Sequence, residues 1–392
     1  MAARDYSDWY NNETVDNRTN SGSLAPFTFI CIIVILIMTG LLMLYSSSYA
    51  EAAANGQPHY YFVLRQGIFA LLGIVCAIAV NFIPVKWIKL SAVPLVALAF
   101  ITMLLTLLTP FGVTVMGARR WLDLPVIPQF QPSEVAKLAI IIFLAWWFTS
   151  QKTRQYIGWY YVVPLLLILA LTLLIFIQRA YTTGIHFLIL ALALCIAGRL
   201  KLRYVFTACA FLAVPAVFYM LSEGYRVRRV ASFLIPSLDP QGLNWQVNMS
   251  LSAIAEGGFF GKGIGNGVYK MGLLPEVQND FILASIIEES GLVGFIFIAM
   301  LFVLFAVLGY RAAGRLWDRD RFASLTAIGI TTMIVSQVAL NIAVVTGLLP
   351  PTGIPLPFFS QGGTNLFVVI IECGLLYRMI ALSAKGDENG GR

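Results

Sequence analysis

Apolar residues in this chain gather into long runs with short polar gaps between them. Ten runs stand out, at roughly 26–47, 66–83, 90–109, 134–149, 160–178, 185–198, 203–221, 281–309, 323–347 and 365–383. Each reaches or approaches the about 20 apolar residues with which a helix crosses a bilayer. The 281–309 run is long enough to tilt or to extend beyond the bilayer. The pattern predicts an all-α polytopic membrane protein of about ten spans over residues 26–384. Its longest connection, about 222–280, joins the seventh and eighth spans. The polar stretch "MAARDYSDWYNNETVDNRTNSGSLA" before the first run is expected to be a disordered tail rather than a cleavable signal. Residues 385–392 are read as a second tail.

Composition agrees with this pattern. The chain is 59% hydrophobic with a mean hydropathy of +0.82. That much apolar surface exceeds what a soluble core can bury. Cys31, Cys76, Cys195, Cys209 and Cys373 lie in or beside apolar runs without metal spacing. They read as small buried hydrophobes.

Charge sets the expected orientation. The loops "VKWIK", "SQKTRQY", "RLKLR" and "YRAAGRLWDRDR" fall on one side and are basic. The positive-inside trend makes that side, and both termini, cytoplasmic. Arg65, Arg119, Arg120, Lys137, Arg179, Arg226, Arg228, Arg229, Lys262 and Lys270 fall on or near the other side, against the trend. Ion pairing or headgroup contact would account for them. So would an outward-facing site for phosphate or pyrophosphate.

Three polar segments share that side. "GARRWLDLPVIPQFQPSEVAKLA" carries Arg119, Arg120, Trp121, Glu134 and Lys137. Pro132 sets a helix start there, and the three-residue spacing of Glu134 and Lys137 lets them pair. The long loop holds Arg226, Arg228, Arg229, the glycines around Lys262, then Lys270, Glu276 and Asp280. Glycines let backbone N–H groups approach a phosphate. The spacing is not that of a P-loop, however, so neither a nucleotide nor a nucleic-acid partner is expected. For these glycines alone, a re-entrant or interfacial turn is the plainer reading. "GLLPPTGIPLPFFSQGGTN" has four prolines and Ser360, and irregular backbone at a membrane lines a cavity. Glu288 and Glu289 follow Asp280 into the eighth run. Counted at 3.6 residues per turn, only Glu288 would face the same way as Asp280.

From about Tyr45 to Met379 the chain resembles the FtsW/RodA/SpoVE (SEDS) family. "GARRWLDL…QPSEVAKL", "YRVRRVASFLIPSLDP", "GKGIGNGVYKMGLLPE…DFI" and "NIAVVTGLLPPTGIPLPFFSQGG" carry the resemblance together. The last is more similar to the division branch. The resemblance implies a peptidoglycan glycosyltransferase that polymerises lipid II beside a class B penicillin-binding transpeptidase and other divisome proteins in the inner membrane. It places the essential carboxylate on Asp280, the tryptophan and basic residue of the second outward loop on Trp121 and Arg120 or Arg119, and the Glu/Lys pair on Glu134 and Lys137. Three segments depart from the family pattern: Gln278-Asn279 before the aspartate, "QRAYTTG" after the fifth run, and Gln361 in "SQGGTN".

Joining an α-linked, pyrophosphate-activated sugar to an acceptor hydroxyl through a β link is one inversion. It needs a base and charge stabilisation of the leaving pyrophosphate. Asp280 is the expected base. Arg119, Arg120, Lys137, Arg226, Arg228, Arg229, Lys262 and Lys270 are the expected cations, and a divalent cation (Mg or Mn) would assist as a Lewis acid. A lipid II flippase is the reading from another class, a non-catalytic scaffold a third, and a rod-elongation polymerase the variant within the family. Paired broken helices in repeated halves would mark a transporter, and no repeat is visible.

Overall fold

The computed structural model describes residues 24–115, 117–125, 127–150, 157–201, 203, 204, 207, 210, 243–351 and 353–390. Among the described residues the helices are α1 (Ala25–Ala54), α2 (Tyr61–Phe82), α3 (Val85–Leu90), α4 (Ala92–Leu108), α5 (Pro132–Thr149) and α6 (Ile157–Ile177). They continue as α7 (Tyr181–Ala197), α8 (Leu243–Gly257), α9 (Ile282–Leu316), α10 (Arg321–Val345) and α11 (Gly363–Gly390). Seven of these are long and apolar enough to cross a membrane, and α4 and α7 are shorter apolar helices. The expected 203–221 run lies almost wholly outside the described residues, as do the N-terminal tail and the part of the long loop that holds Arg226, Arg228 and Arg229. At the other end, α11 continues to Gly390, where a tail from residue 385 was expected.

Helix α5 is central. Nearly every side chain from Pro132 to Ala145 is buried, as suits a helix that is apolar all round. It packs against α4, α7, α10 and α11. Among the described residues, the most extensive helix pairing joins α2 to α11. There, a Cβ built on Gly374 would sit 2.7 Å from the Cβ of Ala77, so small residues let the two backbones approach.

The fold is mostly helical, with one departure from the all-α expectation. β1 (Gly112–Val115), β2 (Ala118–Leu124) and β3 (Ile127–Phe130) form an antiparallel sheet in the order β1-β2-β3. Gly117, at φ +75°, helps turn β1 into β2, a conformation glycine reaches without strain. Val113 faces Trp121, and Leu122 faces Phe130. The sheet caps the bundle end at which α4 finishes and α5 begins.

Helix α9 is broken inside. Gly291 has φ 68° and ψ −169°, a region essentially reserved for glycine. The break frees backbone groups on both sides, and the loop after α8 satisfies them. Leu292 N donates to Gly258 O (3.0 Å) and Val293 N to Phe259 O (3.2 Å). Lys262 N donates to Glu288 O and Gly263 N to Glu289 O, each at 2.9 Å. The helix bonds lost at the break are thereby replaced by loop partners, as a low-dielectric setting requires. Gly261 and Gly291 are obligatory at this join, because a Cβ on either would lie within 2.4 Å of facing backbone.

Candidate active site

Asp280 stands just outside α9, whose N-cap position is Phe281. The residue is half-buried, and its backbone is held in place. Asn341 of α10 donates to the Asp280 carbonyl (2.9 Å) and to the Ile354 carbonyl (2.7 Å), tying the aspartate to the proline-rich segment between α10 and α11. Gly353 packs beside it, so that a built Cβ would be 3.1 Å from Asp280 Oδ2. Arg120 on β2 lies within electrostatic reach. Burial lowers its guanidinium pKa below the ordinary value, and the negative charge of Asp280 pushes it back up. The Arg120 Nε is buried without a hydrogen-bond partner.

The proline-rich segment has no regular secondary structure, and side chains supply its partners. Gln66 Nε2 donates to Ser360 O (3.0 Å) while Gln66 Oε1 accepts from Gly362 N (3.2 Å). Gln337 donates to Pro355 O (2.9 Å), and Gln361 N donates to Gln278 O (2.8 Å). Ser360, in the segment expected to line a cavity, is buried, and its hydroxyl accepts from Leu356 N at 2.7 Å. It braces the segment from within.

Beneath this segment lies the Glu134–Lys137 pair, at 2.8 Å and almost wholly buried. Asn365 donates to Glu134 (2.7 Å), and Lys137 reaches Gln337 Oε1 at 3.4 Å. Glu372 of α11 is fully buried, with neither carboxylate oxygen hydrogen-bonded. It lies within electrostatic reach of both Lys137 and Glu134. His186 of α7 bonds Met333 O and Ser336 Oγ, each at 3.0 Å. Sequence reasoning did not single out Glu372, His186, Gln66, Gln337 or Asn341. A lone glutamate in the apolar "VVIIECGLLY" is the signal that would have found Glu372.

The remaining expected ligands divide. Arg119 turns back to Thr109 O at 2.5 Å, whereas Arg120 is within electrostatic reach of Asp280. Trp121 sits half-buried on β2, opposite Val113. Glu276 accepts a hydrogen bond from Asn279 and orders the turn before Asp280.

Lys262 and Lys270, both expected to bind pyrophosphate, are each held by carboxylates. Lys270 pairs with Glu289 at 2.5 Å and reaches Ser46 of α1 at 2.7 Å, all buried. Lys262 pairs with Glu256 and with Glu288 (3.1 Å). Glu289 also accepts from Gly265 N (2.9 Å), and Glu288 accepts from Val268 N (2.6 Å). Lys270, already neutralised in a dry site, cannot serve an anion without stranding Glu289, whereas Lys262 is partly exposed to solvent. The two glutamates therefore clamp the glycine-rich loop onto α9, although helical counting had pointed them apart. Outside the spans, the Lys262 and Tyr269 hydrogen bonds hold the Glu256 carboxyl below its usual range. The same Glu256 bond raises Lys262.

A polytopic helical bundle with a carboxylate and an arginine within electrostatic reach of each other at one end, above a buried charged network, defines a multi-pass membrane protein with a polar site. The chain matches the FtsW/RodA/SpoVE family model, described as "Cell cycle protein", over residues 27–385, and it belongs to that family. It is 35% identical over 348 residues to "Probable peptidoglycan glycosyltransferase FtsW" of Geobacter sp. (strain M18), covering 88% of this chain and 93% of that one. It is 35% identical over 360 residues to "Stage V sporulation protein E" of Bacillus subtilis (strain 168), covering 90% and 96%. The fold is also similar to a chain solved under the description "Structural coordination of polymerization and crosslinking by a peptidoglycan synthase complex". That match has TM-score 0.72 at 24% identity and covers 91% of this chain and 98% of that one. The rod shape determining protein RodA of Thermus thermophilus matches with TM-score 0.64 at 23% identity, covering 90% and 96%.

Proposed function

We propose that the chain is a peptidoglycan glycosyltransferase of the division branch that polymerises lipid II, with Asp280 as general base. The reading is carried by the half-buried Asp280 beside Gly353 at the end of the bundle, with Arg120 within electrostatic reach, and is supported by relatives named peptidoglycan glycosyltransferases. Asp280 takes the proton from the 4-hydroxyl of the acceptor glucosamine. That oxygen forms a bond to C1 of the donor muramyl sugar on the face opposite the leaving group. The C1–O bond to the pyrophosphate breaks, and the undecaprenyl pyrophosphate departs with the electron pair. Inversion converts the α link to a β link in one step. Arg120 stabilises the departing charge, its planar fork suiting phosphate oxygens.

A Mg or Mn ion remains part of the proposal only as a companion of the substrate's own pyrophosphate. Among the described residues no group of three or more His, Cys, Asp or Glu side chains could hold a metal. The donor set of the described residues does not fit a resident protein-held cation. The basic loops at the opposite end of the bundle support cytoplasmic termini in the inner membrane. Likeness to a chain of a peptidoglycan synthase complex supports a penicillin-binding transpeptidase as partner.

Asp280→Asn is the decisive substitution. It keeps shape and hydrogen-bonding capacity while removing the base. With lipid II and a cognate class B transpeptidase present, the variant should insert normally and make no glycan. Polymerisation near the wild-type rate would end the proposal, and lipid II translocation without polymerisation in the unsubstituted protein would favour a flippase.

A further inference from the structure

The break in α9 also marks a level in the membrane. Helix α9 has 35 residues, about 52 Å at 1.5 Å per residue, far more than a hydrocarbon core of about 30 Å. Burial divides it in two. Residues 282–289 are all buried within protein, whereas from Leu292 onward one face is exposed and apolar, through Val293, Ile296, Phe297, Met300 and Val303. At the far end Tyr310 is exposed and Arg311 follows, the residue types that mark a bilayer interface. Counting back about 20 residues, one hydrocarbon thickness, from Arg311 reaches Gly291. The lipid-facing belt of α9 therefore ends at the break.

The glycine-rich loop joins the helix at that level. Gly258 O and Phe259 O accept from Leu292 N and Val293 N, the first residues of the belt. Between Gly258 (φ +53°) and Gly261 (φ +77°) the chain turns tightly. This throws out Phe259 and Phe260, which are 60% and 80% exposed with rings 5.4 Å apart. Ile264 nearby is also exposed. Polar anchors, namely the Lys262, Glu288 and Glu289 contacts, fix this tip from its other side. Its apolar surface continues the lipid-facing belt of α9.

We propose that the Phe259–Phe260 tip inserts into the bilayer, at the hydrocarbon boundary of the leaflet on the Asp280 side. There it acts as a lipid anchor for the loop. Two aromatic rings at this depth remove from water an area that a free loop would leave exposed. The tip is bonded to the break, and residues 282–290 form a short rigid helix from the break to Asp280. The anchor therefore fixes the height of the carboxylate above the bilayer. That corollary rests on the glycosyltransferase reading for its use, but the depth itself does not.

The test is a depth measurement that needs no turnover. The five native cysteines are replaced by alanine, and a nitroxide is attached at Phe260→Cys, with Val293→Cys and the exposed Asp123→Cys as references. The full chain is reconstituted in phosphatidylethanolamine/phosphatidylglycerol vesicles. Collisions with oxygen, which concentrates in hydrocarbon, are compared with collisions with a water-soluble nickel chelate. The label at 260 is expected to favour oxygen over nickel, as the label at 293 does. A ratio matching that at 123 would place the tip in water and overturn the proposal. Shielding from both reagents would mean protein covers the tip, by another segment or a second copy, and would overturn it equally. Phe260 points away from the fold, so the substitution leaves the clamp intact. A label at Phe259→Cys provides an independent reading.

Discussion

Around Asp280 the structure leaves little room for change. Gly353 sits at φ +71° with its Cβ position 3.1 Å from the aspartate oxygen. A side chain there meets two penalties. The left-handed conformation costs a non-glycine residue about 1–2 kcal/mol, and the new methyl group displaces the carboxylate. Gly353→Ala is therefore expected to lower the polymerisation rate at least tenfold with modest loss of thermal stability, since a small misplacement of a reacting group has a large kinetic cost. Wild-type turnover by this variant, measured as glycan formed from lipid II, would show that the carboxylate is not held where it acts. The prolines and paired glycines of "GLLPPTGIPLPFFSQGG" are enough to exclude a helix there. The partners of that irregular backbone could not be read in advance. Gln66, Gln337 and Asn341 come from α2 and α10, and nothing in their local sequence says that their carboxamides point at the segment.

At the scale of elements, the clamp between the glycine-rich loop and α9 depends on buried charge. Lys270 and Glu289 have almost no exposure, and Ser46 of α1 completes the set. Removing one partner leaves an uncompensated buried charge, about 3–5 kcal/mol. Lys270→Met should therefore lower the melting temperature markedly in detergent, and adding Glu289→Met should recover much of the loss. If Lys270→Met alone melts like the wild type while pyrophosphate affinity falls, the lysine is a ligand after all. The spans were legible because runs of about 20 apolar residues have few alternative explanations. The break at Gly291 was not, because one glycine inside the 281–309 run looks the same whether the helix continues or parts. The small sheet went unread for a related reason. Val113 and Val115 flank Thr114 before a glycine turn, but short strands beside long apolar runs give little periodicity to detect.

Across the whole molecule, the Glu134–Lys137 pair joins helices that are distant in sequence. Its spacing was readable from one helix, but its neighbours Gln337, Asn365 and Glu372 arrive from α10 and α11. Lys137 is thus bonded to Glu134 at 2.8 Å and within electrostatic reach of Glu372, which has no hydrogen bond of its own. Simple pairing and a shared network make different predictions. If Lys137 served Glu134 alone, Lys137→Met combined with Glu134→Gln would restore the stability lost by the single lysine change. If Lys137 also balances Glu372, that double variant still leaves a buried carboxylate without a counter-charge, and only the triple variant with Glu372→Gln recovers. The network reading expects the second pattern. Lys137→Met should cost several kcal/mol, on the order of a broken buried pair, with partial rescue by Glu134→Gln and further rescue by Glu372→Gln. Thermal unfolding of these proteins and of the Glu134→Gln and Glu372→Gln single variants in one detergent decides it. Full recovery in the double variant would reduce Glu372 to a bystander. Non-additivity of 0.5–3 kcal/mol, about the range for groups in one network, would show that α5, α10 and α11 are held together by shared charge beneath the site.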